Sequence, residues 1–223
     1  MSVLVIIPAA GSGTRFGGPI PKQFQPLAGR PLVQYVVERF LMTDVARIIV
    51  AIPEPLLTTI KQSPGDRVLF VGGGETRLQS VSNAMKAAGD DCDVVAVHDA
   101  VRPFFRIDTF SRLIEAAREY GGAVPALPVS DTIHATRDGR LSATVDRSNL
   151  VAAQTPQCFR FEVLRDALKL AEDEKFDATD EAGLAAHYGY HVQVLPGDPF
   201  NIKITRPEDL ALAEAHFEEW SNA

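Results

Sequence analysis

Hydrophobic positions along the chain follow two alternating rhythms. Unbroken apolar runs rich in β-branched residues recur as "VLVIIP" from Val3, "RIIVAIP" from Arg47, "RVLFVGG" from Arg67, "DVVAVHD" from Asp93 and "AVPALPV" from Ala123. Between the third and fourth, "ETRLQSVSNAMKAAG" sets Leu78, Val81, Ala84, Met85 and Ala88 at helical spacing and stops at Gly89. The spacing also predicts a helix over "RPLVQYVVERFLM" with Pro31 in its first turn, and one over "IDTFSRLIEAAREYGG" with Asp108 as N-cap. The chain returns through "FRFEVLRDALKLAEDE", a strand around "YHVQVLPG" and a last helix beginning at Pro207. Strands that are apolar throughout are buried on both faces, which calls for helices on both sides of a mainly parallel sheet. The class predicted is α/β, doubly wound.

Residues 130–147, "SDTIHATRDGRLSATVDR", break that rhythm. "TIHAT" and "LSATV" flank Asp138-Gly139, a strong hairpin-turn pair, so a β-hairpin arm is expected to project from a single domain spanning residues 1–223. Such an excursion serves a partner subunit or a lid, or simply lies in solvent.

Composition narrows the function. The chain has 223 residues, 46% of them hydrophobic, and a formal charge of −7. That acidity argues against a nucleic-acid surface. It also means that any anion site must be locally positive against its background, which makes clustered Arg and Lys informative. Cys92 and Cys158 have neither CxxC spacing nor a neighbouring His at ligand spacing, and are expected to be buried free thiols. The N-terminal apolar run lacks a basic flank and is too short for a signal peptide or a membrane span, so a cytoplasmic protein without a membrane partner is expected.

The chemistry concentrates just after the first strand, in "PAAGSGTRFGGPIPKQ". The dinucleotide fingerprint GxGxxG fits Gly11 and Gly13, but its third glycine falls on Phe16. The P-loop needs a lysine directly after its second glycine, and Gly18 is followed by Pro19. Neither NAD binding nor Walker-type hydrolysis is supported. What remains is a glycine loop able to wrap a triphosphate with backbone N–H groups, carrying Arg15, with Lys22 beyond a Pro-x-Pro. A plain turn with solvated cations would leave the same local pattern.

This opening resembles the signature of cytidylyltransferases of the nucleotide-diphospho-sugar transferase fold, which is Rossmann-like. "GGGETRLQSV" from Gly72, "VHDAVRP" from Val97, "VSDT" from Val129 and "TVDR" from Thr144 follow in the family's order. So do "QTPQCF" from Gln154, "TDEA" from Thr179 and "NIKITRPEDLALAE" from Asn201. The set is similar, essentially end to end, to the 2-C-methyl-D-erythritol 4-phosphate cytidylyltransferase family of the non-mevalonate isoprenoid pathway.

The resemblance implies that CTP and a polyol phosphate give a CDP-polyol and pyrophosphate. A phosphate is already a nucleophile, so catalysis reduces to positioning and charge neutralisation. It implies Arg15 and Lys22 as transition-state stabilisers, with Arg147 and Lys203 holding the nucleophilic phosphate. Pro8, Ala9, Ala10 and Gly11 would lie along the nucleotide, and Gly73, Gly74 and Ser80 would close on the cytosine. Asp99 is the expected Mg²⁺ ligand. Arg102, Thr132, Thr155 and Thr179 would face the acceptor, with His98 a packed neighbour. A homodimer is implied, its arms carrying Thr132 and Arg147 into the neighbouring site. The alternatives are a cytidylyltransferase for a pentitol phosphate such as ribitol 5-phosphate, and a non-catalytic nucleotide sensor.

Overall fold

The computed structural model describes residues 2–11, 16–17, 20–58, 65–89 and 91–221. The chain opens with β1 (Val3–Pro8), followed by a single 3-10 turn at Lys22–Phe24. A small ladder of β2 (Pro26–Leu27) and β3 (Arg30–Pro31) leads into α1 (Leu32–Leu41). Next come β4 (Arg47–Ile52), the short α2 (Glu54–Leu57), β5 (Val68–Gly72), α3 (Arg77–Ala88), β6 (Val94–Val97), α4 (Ile107–Tyr120) and β7 (Gly122–Pro128). The arm is β8 (Ile133–Arg137) and β9 (Arg140–Val145). The chain closes with β10 (Val151–Ala153), β11 (Gln157–Arg160), α5 (Phe161–Glu174), α6 (Glu181–His187), β12 (Val192–Pro196) and α7 (Pro207–Ser221).

The central sheet runs β10-β7-β11-β6-β1-β4-β5, with β12 on the other side of β7. β1, β4, β5 and β6 are mutually parallel, as β12 is to β7. β1 alternates between two cores, because successive side chains of a strand point to opposite faces. Val3, Val5 and Ile7 pack with Val36 and Phe40 of α1 and Phe110 and Leu113 of α4. Leu4 and Ile6 pack with Val81 and Met85 of α3 and Leu164 and Leu168 of α5. That is a doubly wound α/β sheet, and it explains why the strands read as apolar at every position. A third core under α7 gathers Leu27, Leu32, Val101, Phe104 and Ile204.

Some local expectations are revised. Pro31 is the N-cap of α1 rather than a residue of its first turn. Arg106, not Asp108, caps α4; Asp108 lies within the first turn and accepts from the Thr109 N–H. Phe159 and Arg160 belong to β11, which inserts antiparallel between β6 and β7, so that helix begins only at Phe161. Cys158 is fully buried, whereas Cys92 is only partly so, and neither is in a disulfide. In the arm, Asp138 and Gly139 both take positive φ, at 51° and 75°. That is the geometry of the twist-matched two-residue hairpin turn.

Candidate active site

In a parallel sheet covered on both faces, ligands collect beyond the carboxyl ends of the strands. Here the residues following β1, β5 and β6 surround a cavity of about 290 Å³. Larger hollows, of about 470 Å³ beside α4 and about 360 Å³ between α3 and α5, lie away from those ends. In the first Arg118 faces Asp93, and in the second Lys86 faces Glu172.

One wall is almost bare backbone. Pro8, Ala9, Ala10 and Gly11 leave β1 along the cavity. The buried Gln23 donates through Nε2 to the carbonyls of Ala9 at 2.6 Å and Gly11 at 2.9 Å. This ties the glycine turn to the short helix that brings Lys22 to the same cavity. Opposite, the Gly73 N–H donates to the Ile52 carbonyl at 2.8 Å. A Cβ on Gly73 would stand 2.1 Å from that of Ala10, so the two loops meet only because Gly73 has no side chain. The Gly74 N–H donates to Ser80 Oγ, whose hydroxyl donates to the Thr76 carbonyl. Thr76 and Gln79 form a capping box at the start of α3, whose N-terminal end lines the cavity. The dipole and free N–H groups of a helix start favour an anion.

The other wall is a cluster of charge built on Asp99, which is 7% exposed. Its Oδ1 accepts from Arg77 Nη2 at 3.2 Å. Its Oδ2 meets Arg102 Nε at 3.2 Å and Lys203 Nζ at 2.9 Å. Burial opposes the charge on Asp99, but Arg77, Lys203 and Arg102 together hold its carboxyl well below the usual carboxylate range. Arg77 in turn grips both carboxylate oxygens of the fully buried Glu181. Behind Asp99, its N–H donates to Thr155 Oγ1 at 3.0 Å. The Thr155 hydroxyl lies 3.1 Å from His98 Nδ1, and His98 Nε2 lies 2.9 Å from the Arg102 carbonyl. Because a carbonyl only accepts, Nε2 carries the proton, leaving Nδ1 to accept from Thr155.

Most of the residues singled out from sequence thus meet at one place. Lys22, Lys203, Asp99 and the exposed Thr179 line the cavity beside the backbone wall formed with Gly74 and Ser80. Gly73, Arg102 and Thr155 stand directly behind it. Thr132 and Arg147 do not line it. They lie at the base of the exposed arm, where Arg147 donates to the Ser130 carbonyl. Arg15 falls outside the described residues. Sequence reading missed Arg77, Glu181 and Gln23, each of which resembles an ordinary polar residue near a helix start until its distant partner is known.

Asp99 does not fit the role of a metal ligand here. Both its oxygens face cations, and among the described residues no group of three or more His, Cys, Asp or Glu side chains is placed to hold a metal ion.

A family model described as "IspD: 2-C-methyl-D-erythritol 4-phosphate cytidylyltransferase" matches residues 3–219. Curated proteins of that name from Geobacter metallireducens and Solibacter usitatus are 41% and 39% identical to the chain. The alignments cover 98% of this chain in both cases, and 99% and 97% of the relatives. Among solved structures, the 2-C-methyl-D-erythritol 4-phosphate cytidylyltransferase of Thermus thermophilus superposes with a TM-score of 0.83. It is 36% identical over 98% of this chain and 100% of that one. The enzyme of the same name from Francisella tularensis gives a TM-score of 0.85 at 30% identity, covering 96% of this chain and 99% of that one.

The burial of His98 gives the site an acid limit. Desolvation lowers the pKa of His98 from 6.5 to about 4. A group with a depressed folded pKa binds protons preferentially when unfolded, so the His98 contribution to stability should rise with pH from about 4 to about 6.5 and then level off, against an opposite contribution from Glu181, whose pKa burial raises. The full span is on the order of 3 kcal/mol. Asp99, whose pKa is depressed from the carboxylate range, loses its contribution only below this window. Urea unfolding at several pH values should show this slope in the wild type and a much flatter one in His98→Gln. An equal slope in both would exclude His98 as its source.

Proposed function

The chain belongs to the 2-C-methyl-D-erythritol 4-phosphate cytidylyltransferase family, and on that premise we propose that it joins CTP to 2-C-methyl-D-erythritol 4-phosphate, releasing pyrophosphate and 4-diphosphocytidyl-2-C-methyl-D-erythritol. One observation carries the reading. A single cavity brings together the bare backbone of the β1 and β5 turns and the cations Lys22, Arg77 and Lys203. The first suits a nucleotide, and the second suits the phosphates that must react. The pentitol-phosphate alternative has no observation in its favour, since the relatives carry the methylerythritol name.

The geometry supports a division of labour. The bare backbone of Ala9, Ala10, Gly11 and Gly74 along the cavity leaves room for a flat pyrimidine, with Ser80 and nearby backbone groups reading its edge. The start of α3 and Lys22 lie where phosphate charge would collect, and Arg15 is assigned with Lys22 to the charge that grows on the α-phosphate and the leaving pyrophosphate. Lys203 and Arg102, held through Asp99, would align the acceptor phosphate for in-line attack, with Thr155 and Thr179 beside its hydroxyls. Magnesium is part of the proposal as an ion held by the nucleotide's own phosphates and water, since Asp99 does not fit as its ligand. Among the described residues no helix is long and apolar enough to cross a membrane. A cytoplasmic location is also proposed, in keeping with Cys92 and Cys158 not being joined in a disulfide.

Incubating the protein with CTP, Mg²⁺ and the methylerythritol phosphate should yield the CDP-alcohol and pyrophosphate, with ATP a poor substitute. Equal turnover of ribitol 5-phosphate, or equal use of ATP, would contradict the assignment. Lys22→Ala should lower kcat on the order of 10²–10³-fold with KM for CTP little changed, because its charge opposes one that grows only in the transition state. Lys203→Ala should instead raise KM for the acceptor. An Lys22→Ala variant impaired only in KM for CTP would contradict its role.

The arm supports a homodimer. Both of its faces are exposed, including Leu141 at 69%, and an isolated two-stranded hairpin is marginally stable in water. Pairing with the same arm of a second subunit would cover it and could bring Thr132 and Arg147 to the partner's cavity. Subunit exchange between Arg15→Ala and Arg147→Ala proteins tests this. Action in trans leaves one intact site in each mixed dimer and restores roughly a quarter of wild-type activity. Action in cis leaves the mixture inactive.

A further inference from the structure

Glu181 places a carboxyl where charge is costly: burial raises its pKa, and the Arg77 guanidinium opposes that shift and favours the carboxylate. It is 0% exposed, at the first turn of α6, and is followed by the buried Ala182, Leu184 and Ala185 of the α3–α5 core. Its backbone is held on both sides. Asp180 caps the helix by accepting from the Gly183 N–H at 2.8 Å and also accepts from Gln157 Nε2 at 2.7 Å. Gln157 Oε1 accepts from the Ala182 N–H at 2.8 Å. Both oxygens of Glu181 contact Arg77 Nη1, across 104 positions of sequence.

A tie between α3 and α6 does not need charge. Apolar pairs of similar volume hold elements together at least as well, because a buried ion pair must first be stripped of water. What the pair supplies is direction. The guanidinium is planar and rigid, so fixing Nη1 on Glu181 fixes where Nη2 points. Nη2 points at Asp99 Oδ1, and the other oxygen of Asp99 holds Lys203 and Arg102. Glu181 itself is not among the residues lining the cavity, whereas Arg77, Asp99 and Lys203 are.

We propose that Glu181 is a positioning residue for the acceptor half of the reaction: by clamping Arg77 it sets the orientation of Asp99, and through Asp99 that of Lys203 and Arg102. The inference rests on the functional reading above. It places the control of acceptor alignment on a residue that does not line the cavity, and separates that control from the bare-backbone wall of the β1 and β5 turns.

The test uses full-length Glu181→Gln, which keeps size and one acceptor oxygen but removes the charge and the second acceptor that orient Arg77. Its kcat/KM for the polyol phosphate should fall by about tenfold or more, since misplacement of an aligning group by a fraction of an ångström is costly. Its Kd for CTP by calorimetry should stay within about twofold of wild type, the change expected for a distant independent site. In a Lys203→Ala background the same substitution should cost clearly less than in the wild type, because part of its effect passes through Lys203 and only the part through Arg102 remains. A variant with lower Tm but unchanged acceptor kinetics, or a full additional loss in the Lys203→Ala background, would overturn the assignment. If Glu181→Gln does not fold, Glu181→Asp, which draws the carboxylate back from Arg77, carries the same expectations. Failure of both to fold would make the pair a requirement of the fold and overturn the proposal. Wild-type turnover is measured alongside, so absence of any CDP-polyol product would count against the functional reading rather than against Glu181.

Discussion

The site depends on one interaction, the capture of the Asp99 carboxylate by three cations from three separate segments. Arg77 comes from the start of α3, Arg102 from the loop after β6, and Lys203 from the stretch before α7. Three like charges would repel one another without a counter-charge between them, and in a chain of net charge −7 they would more readily pair with scattered surface acids. A buried carboxylate at their centre removes the repulsion and fixes their distances before any ligand arrives. Such a network is costly if any member is unsatisfied, and its surroundings are bonded closely, with Asn201 Oδ1 the buried atom of this neighbourhood left without a hydrogen-bond partner among the described residues.

The fold supplies that bonding. The parallel arrangement of β6, β1, β4 and β5 brings the turns carrying Asp99, the small residues of β1 and Gly73 to one end of the sheet. β11, the antiparallel intruder, delivers Thr155 beneath Asp99 from its N-terminal side, and Gln157 from the strand itself reaches the cap of α6. On the far side, Asn201 donates to the Thr155 carbonyl and accepts from Arg102 through its own carbonyl, while Ile204 is sunk in the core under α7. Lys203, between a half-buried Ile202 and a buried Ile204, is thereby presented to the cavity. Each cation is held by packing of its neighbours and not by its charge alone.

The sequence displays the parts of this arrangement that local physics decides. Continuous apolar runs identified the parallel strands, because burial on both faces leaves no polar position to alternate with. Asp138-Gly139 identified the arm, because few residues accept positive φ. The strand Gln157–Arg160 was not legible: it is short, begins and ends with polar residues, and exists through its pairing with β6 and β7. Helix α6, seven residues long and rich in alanine, gave no periodic signal either. In the site, the glycine turn and the cations at its edge stood out, and family resemblance drew attention to Asp99 and Lys203. Arg77 and Glu181 did not stand out. An arginine after a capping threonine and a glutamate after a capping aspartate are both ordinary at helix starts, and only the tertiary contact shows that they form one unit. The expected magnesium role of Asp99 came from its position at a strand end, which is a sound rule for an acid with few neighbours but not for one already shared by three cations.

The direct test of Asp99 as organiser, and not as a passive acid or metal ligand, is the kcat of Asp99→Asn with both substrates saturating. Removing the negative charge leaves the three cations free to attract phosphate, so acceptor affinity should hold or improve while kcat falls on the order of 10²-fold for want of alignment. A kcat close to wild type, or a loss confined to a raised acceptor KM, would contradict the account.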